Sequence, residues 1–489
     1  MTGPSFVTRI DQLCASAGEE IGGAEAVPLE DIRRRLHSPL RIAVAGRVKA
    51  GKSTLLNAMV GERLAPTDAG ECTRMVSSYH FAPQYDVKLR APDGSASSPA
   101  FRKGDESLEV DLPGGVAPEA RLEIGWPARR LSDATLIDTP GLGSLDPALK
   151  QRGRSLFSED GAPGQADAVI YLMRHAHSED IDFLEGFREA GLPFSSPVNT
   201  VAVLSRVDEI GAGRLDALDS ASRIASRYER DERIGALAGS VLPVAGLLAE
   251  TAVTMEESDF NALRQVGALG AASDALLLSV DRFRDGEHNP LAAETRELLL
   301  RRFGLFGIRF AVDAFRTASV PSSQALAELL RERSGLVALQ ELVQQRFTAR
   351  SQQLVARSAL AELRTIARQL RSTETTTATR LEAAIEEIVG SSHELAELEL
   401  AHQVATGEVR FDDAERTELD RLLASASSPA RALGLGEGAS AEAMRSAALG
   451  AISRWRERAA HPLTDRATRW GADVMTRSYE GMYARLIDD

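Results

Sequence analysis

The sequence predicts an α/β domain, a mostly parallel sheet with helices on both faces, joined to an all-α helical bundle built from both chain ends. Three observations carry this expectation. Between about residues 39 and 246, apolar and β-branched runs alternate with helical patterns, as crossover connections between parallel strands require. Beyond residue 246 strands largely disappear, and Ala-, Leu-, Arg- and Glu-rich helical periodicity runs to the end. The first 38 residues are helical as well, and an isolated amphipathic stripe must find a partner, which places them on the C-terminal helices.

Taken in order, Phe6 to His37 reads as two helices split at Gly18–Pro28. Strands are expected at Arg41–Ala45, Ser77–Ala82, Val87–Ala91, Arg121–Gly125, Ala134–Ile137, Ala166–Met173, Thr200–Leu204 and Ser240–Val244. Pro83 to Trp126, rich in Pro, Gly and Ser, reads as an antiparallel excursion. Helices are expected at Ile181–Ala190 and Leu215–Arg230, then through Gly246–Asp281 and Leu291–Ala318. Ser334-Gly335 opens another amphipathic helix. The remaining helices break near Ser372–Thr379, Ala405–Val409, Ser427–Ser440 and His461-Pro462.

Composition narrows the function classes. The chain has 489 residues, more than one core normally supports, so two or three domains are expected. Asp and Glu total 71 against 57 for Lys and Arg, a formal charge of -14, which argues against nucleic acid as a partner. The two cysteines, Cys14 and Cys72, lack metal-ligand spacing and suit a reducing cytoplasm. No signal peptide opens the chain, and no run of about 18 apolar residues spans a membrane.

The most specific motif is Gly46-Arg47-Val48-Lys49-Ala50-Gly51-Lys52-Ser53, a phosphate-binding loop pattern preceded by a strand and followed by a helix beginning near Thr54. In such a P-loop the backbone N–H groups wrap phosphates, the helix N-terminus adds positive potential, the lysine reaches the β- and γ-phosphates, and the serine ligates Mg²⁺. Lysine occurs only five times here, and position 52 needs a compact ammonium that arginine cannot imitate. Gly46, Val48, Lys49, Ala50, Gly51, Lys52, Ser53 and Thr54 are therefore the expected phosphate-side nucleotide-binding residues.

Three further segments follow predicted strands, at the edge where open α/β sheets bind ligands. Asp138-Thr139-Pro140-Gly141 offers a carboxylate for Mg²⁺ through water and, at Gly141, an N–H for the γ-phosphate. Ser205-Arg206-Val207-Asp208 stands where GTPases read guanine with Asn/Thr-Lys-x-Asp. Asp208 accepts from guanine N1 and N2, a donor pair adenine lacks, while Arg206 replaces the usual lysine as a flat cation over the base. A surface aspartate starting a helix is the competing reading of Asp208. Ala245-Gly246 ends the next strand and offers a backbone N–H to guanine O6. Between the P-loop and Asp138, one threonine is needed to complete Mg²⁺ coordination; Thr73 is the choice and Thr67 its competitor. Metal ligands are thus Ser53, Thr73 and Asp138, and the hydrolytic machinery Lys52, Thr73 and Gly141. Leu142 stands where small GTPases carry a water-orienting glutamine, so slow turnover is expected without a stimulating subunit or cation.

The segment Lys49 to Ala58, the loop from Ala65-Pro66-Thr67 to Thr73, and Asp138-Thr139-Pro140-Gly141 together resemble the bacterial dynamin-like GTPases. Residues 206–214, 303–309 and 455–462 are similar to a narrower branch of that family, so the resemblance covers nearly the whole chain. It implies a GTPase domain on a helical stalk, stimulation of hydrolysis by G-domain contacts with a second copy or a related subunit, and action on membranes. On that basis residues 1–38 are expected to join the stalk, 39–347 to form the GTPase domain with 247–333 as a helical elaboration, and 348–489 to form the stalk itself. Localisation would be cytoplasmic, with peripheral contact at the inner face of the plasma membrane. No apolar paddle is evident. Arg33-Arg34-Arg35 and Arg454-Trp455-Arg456 are basic spots for headgroups, or more simply solvated helix faces around a core tryptophan. An alternative function is a nucleotide-dependent scaffold or assembly GTPase acting on a protein partner.

Overall fold

A computed structural model describes residues 5–65, 75–92, 94–104, 107–113, 116–117, 120–139, 166–174, 181, 198–235, 237–286, 288–317, 320–424 and 428–488. Two antiparallel helices, α1 (Phe6–Ile21) and α2 (Val27–Leu36), precede the sheet. Ser5 caps α1 by accepting from the Thr8 N–H at 3.2 Å, and Pro28 sits in the first turn of α2, where its missing N–H costs nothing. The strands are β1 (Leu40–Gly46), β2 (Val76–Phe81), β3 (Asp86–Arg90), β4 (Ala96–Ser97), β5 (Phe101–Lys103), β6 (Leu108–Val110), β7 (Arg121–Trp126), β8 (Ala134–Asp138), β9 (Ala168–Met173), β10 (Thr200–Ser205) and β11 (Val241–Val244).

Nine of these form one sheet in the order β11-β10-β9-β1-β8-β2-β7-β3-β4, and β5 and β6 pair separately. From β11 to β8 the pairing is parallel; β2 then runs antiparallel to β8, and β3 antiparallel to β7. The fully buried runs Ala168–Met173 and Thr200–Ser205 show why the parallel half reads as continuously apolar: both its faces are covered. The short strands β4, β5 and β6 were invisible in the sequence, since two or three residues carry no periodicity.

Helix α3 (Lys52–Val60) follows β1. After β10 come a 3-10 turn at Val207–Ala212, α4 (Ala217–Glu229) and the short α5 (Glu232–Gly235); after β11 come α6 (Gly246–Thr254), α7 (Glu257–Gly267), α8 (Ala271–Leu276), α9 (Val280–Asp285), α10 (Ala293–Thr317), α11 (Ser323–Arg333) and α12 (Leu336–Arg346). The C-terminal helices are α13 (Ser351–Leu370), α14 (Thr375–Ser391), α15 (His393–Ala405), α16 (Asp413–Ala424), α17 (Pro429–Ala432), α18 (Ala441–Ala460) and α19 (Arg466–Asp488). None of the described helices is long and apolar enough to cross a membrane.

The chain ends do meet. Ile10, Cys14, Leu29 and Ile32 share one core with Leu360, Leu363, Leu381 and Ile385, and that core continues into β1, α3 and α12. Arg9 pairs with Glu387 at 3.2 Å, Arg380 with Glu20, and Arg35 with Glu362. Burial pushes the Cys14 thiol up to about 12, which leaves it inert. The helical region nonetheless holds two cores. Leu400, Phe411, Leu419, Trp455, Met475 and Tyr479 make a separate one among α15 to α19. An open cleft lies between that unit and the foot of the sheet, with Arg230, Arg346, Arg350, Arg416, Asp413 and Asp420 on its walls.

The basic spots resolve into paired helix faces. Arg33 meets Asp11 and Glu30, Arg34 meets Asp31, Arg454 meets Glu418 and Arg456 meets Glu480. Trp455 is buried and donates its Nε1 hydrogen to Glu418 at 3.1 Å.

Arg35 and Glu362 are each about one-seventh exposed, and burial raises the Glu362 carboxyl against the pull of Arg35. Removing one partner leaves an uncompensated charge, so Glu362→Ala should cost about 3–5 kcal/mol in chemical denaturation. A loss below about 1 kcal/mol would show that this contact does not hold the ends together.

Candidate nucleotide site

The site grows from the middle of the sheet. β1 lies between β8 and β9, with Val44 in register with Asp138 and Gly46 with Leu172. The loop after β1 therefore emerges beside the carboxyl end of β8. Gly46 has φ +148°, and a Cβ there would stand 2.5 Å from the Leu172 carbonyl oxygen, so only glycine lets β1 and β9 remain paired as the chain turns. Ala50 N–H donates to the Arg47 carbonyl at 3.1 Å, and Gly51, at φ +94°, leads into α3. Lys49 adopts φ +64° and Val48 is half exposed.

At the start of α3, the half-buried Lys52 donates to the Arg47 carbonyl at 3.4 Å. Burial lowers its ammonium below the ordinary lysine range, and Asp138 opposes that shift. Ser53 Oγ donates to Asp138 Oδ2 at 2.9 Å. Burial raises the Asp138 carboxyl above its usual value, while Lys52, Ser53 and the Thr139 N–H pull it back. Asp138 Oδ1 is sealed from solvent and has no hydrogen-bond partner among the described residues. Thr139 is fixed by donating to the Val44 carbonyl at 2.9 Å. No cluster of three or more His, Cys, Asp or Glu side chains that could hold a metal occurs among the described residues. A serine hydroxyl with a single carboxylate instead fits a hard cation, such as Mg²⁺, that draws most of its ligands from phosphate and water.

Beside these residues, three separated segments line one cavity that opens to solvent. Ala50, Gly51, Thr54 and Leu55 form one side; Ser205, Arg206, Asp208 and Glu209 another; Val244, Gly246 and Leu247 the third. The left-handed backbone at Arg206 (φ 53°, ψ 37°) turns the chain sharply out of β10 into the 3-10 segment that carries Asp208. Burial raises the Asp208 carboxyl, partly offset by its own backbone N–H. Ser205 Oγ donates to the Met173 carbonyl at 3.2 Å. Arg206 Nε donates to the Lys49 carbonyl at 2.9 Å, which ties this segment to the loop after β1.

Of the expected residues, Ala50, Gly51, Thr54, Ser205, Arg206, Asp208 and Gly246 line the cavity. Gly46, Val48, Lys49, Lys52, Ser53 and Ala245 do not. Ala245 is fully buried and its N–H goes to the Ser334 carbonyl at 2.9 Å, so Gly246 is the member of that pair facing the cavity. Gly335, at φ +82°, allows this, because a Cβ there would sit 2.3 Å from the Pro243 carbonyl oxygen. Thr67, Thr73, Gly141 and Leu142 lie outside the described residues.

Sequence reasoning missed Leu55, Leu172, Val203, Glu209, Val244 and Leu247 as lining residues. Only Glu209, next to Asp208, offered a signal. Also unexpected is Asn57, fully buried on α3, whose carboxamide accepts from the Leu64 and Ala65 N–H groups and donates to the Ala65 carbonyl and Glu250.

Residues 42–190 match the Dynamin family. Over 465 residues, 94% of this chain and 92% of the relative, the sequence is 41% identical to the isoniazid-induced protein IniC of Mycobacterium tuberculosis. The chain belongs to the dynamin family. As a bacterial dynamin-like protein it is a GTPase, with a mostly parallel sheet as the core of its GTPase domain and helices from both chain ends beside it. It is also 25% identical to the isoniazid-induced protein IniA of the same organism, over 60% of this chain and 44% of that one. To dynamin-like protein 2 of Campylobacter jejuni it is 26% identical, over 46% of this chain and 36% of that one.

The contact at Gly46 makes a direct prediction for this dynamin-like chain. Gly46→Ala should lower stability by about 2 kcal/mol or more, because both the positive φ and the Leu172 carbonyl resist a side chain. Thermal unfolding compared with Gly61→Ala, whose neighbour is only the flexible Arg130 side chain, isolates the backbone clash. Equal midpoints for the two variants would show that the loop accommodates a Cβ.

Proposed function

We propose that this chain binds GTP with Mg²⁺, the base in the cavity lined by Ala50, Gly51, Thr54, Ser205, Arg206, Asp208, Glu209 and Gly246 and the phosphates on the loop at residues 46–53 beside it, and that it hydrolyses it slowly when alone. The supporting observation is convergence: Asp208, Gly246 and the loop at Ala50–Gly51 line one cavity, a few residues along α3 from the Ser53–Asp138 hydrogen bond. Asp208 reads guanine N1 and N2, Arg206 lies against the base, Ser205 holds its segment to β9, and Gly246 meets O6. The loop N–H groups and Lys52 take the phosphates. Ser53, Thr73 and Asp138 hold Mg²⁺, whose charge neutralises the β- and γ-phosphate oxygens. Lys52 and Gly141 contact the γ-phosphate, and the loop carrying Thr73 is ordered while that phosphate is present and loosens after hydrolysis.

In this reading residues 39–347 act as the GTPase domain, with 247–333 as its helical elaboration. Residues 1–38 and 348–489 act as the stalk. Association of GTPase domains, with a second copy or a related dynamin-like subunit, stimulates hydrolysis. The resulting change between domain and stalk remodels a membrane contacted peripherally from the cytoplasm. The cleft beside Arg346 and Arg350 supports such movement, since it leaves room between the sheet and the outer helices.

Turnover per subunit should rise with protein concentration and with anionic liposomes, and Lys52→Ala should lower it at least about 100-fold. A rate flat under both conditions would sink the coupling. Asp208→Asn tests the base: an amide donor suits the 2-oxo group of xanthine, so preference should pass from GTP to XTP by about 100-fold or more. Unchanged preference for GTP would show that the base is read elsewhere.

A further inference from the structure

Arg206 departs from the lysine expected at its position, and its surroundings use the donors that lysine lacks. Its Nε donates to the Lys49 carbonyl at 2.9 Å, and its terminal NH1 donates to Glu209 Oε1 at 2.5 Å. The second oxygen of that carboxylate, Oε2, accepts from Arg174, the first residue after β9. Glu209 thus sits between two guanidinium groups, and Arg206 is held at two separate nitrogens. A planar fork held at two points has a defined plane, whereas an ammonium on a flexible stem has none.

We propose that Glu209 and Arg174 are positioning residues for the purine base: they fix the Arg206 guanidinium as a standing wall of the cavity, bridging the P-loop to the end of β9. This deepens the proposed guanine site and rests on it. Arg206, Glu209 and Arg174 are each roughly two-fifths to one-half exposed, so the ion pairs add little to stability by themselves. Their effect lies in pre-organisation, because a guanidinium already locked in place loses no rotamer freedom when a base arrives. The left-handed backbone of Arg206 points the same way, since a conformation disfavoured for a non-glycine residue is retained where the side chain has a set task.

The test uses the full-length chain with GDP, GTP and tripolyphosphate. Glu209→Ala should weaken GDP about fivefold and raise KM for GTP by the same factor, with kcat within twofold and tripolyphosphate binding unchanged. Arg174→Ala should move the same quantities in the same direction. Arg206→Lys should weaken GDP in the parent chain but add nothing in Glu209→Ala, because the plane is already lost there. Glu209→Ala within twofold of the parent for GDP would overturn the inference. An equal loss for tripolyphosphate would also overturn it, since the carboxylate would then be serving the loop and not the base. Failure of the underlying site shows itself differently, as an Asp208→Asn variant that still prefers guanine over xanthine. With that exchange behaving as expected and the Glu209 variants silent, only the positioning role falls.

Discussion

A lysine and a carboxylate, both half-buried at the carboxyl end of the central strands, constrain the backbone around them. Burial disfavours the charged form of both Lys52 and Asp138, each opposes the other's shift, and Ser53 hydrogen-bonds the carboxylate at 2.9 Å. Desolvated charges strengthen every electrostatic contact made beside them, and they demand backbone that holds still. That rigidity comes from below. β1 is paired on both sides, Thr139 is pinned to Val44, and Gly46 passes so close to Leu172 that no side chain fits.

The neighbouring cavity depends on a different device. The loop after β11 is held by the Ser334 carbonyl and by the close backbone approach at Gly335, the two residues that precede α12. α12 continues through Arg346 toward Arg350, whose guanidinium is pushed down to about 10 by burial and donates to the Leu423 carbonyl. α12 and the 3-10 turn at Thr348–Arg350 thus run from the loop after β11 to the helices beyond the cleft. Asn57 makes a comparable junction on the phosphate side, linking α3, residues 64–65 and Glu250 on α6.

Much of the fold was legible because its strands are long and apolar: β9 and β10 are buried along every residue, and their boundaries were read to within two residues. The helix breaks were legible through Gly, Pro and Ser chemistry. What escaped had no period to detect, such as the two-residue β4 and the three-residue β5 and β6. The displacement of Ala245 from the cavity was equally hidden, because the group that claims its N–H lies 89 residues further along the chain, at Ser334.

The sequence by itself displayed the phosphate-binding loop pattern, since that motif is a local object whose glycines, lysine and serine fall within eight consecutive residues. It also determined that the two chain ends must meet, because neither could bury its apolar stripe alone. Only the tertiary structure decided that the C-terminal helices divide between the core shared with the N-terminal helices and a separate outer core, with a cleft beside the outer one. Only it showed that Glu209 faces both Arg206 and Arg174. Those outcomes depend on contacts between residues distant along the chain, and such contacts are set by packing against neighbours that no local pattern encodes.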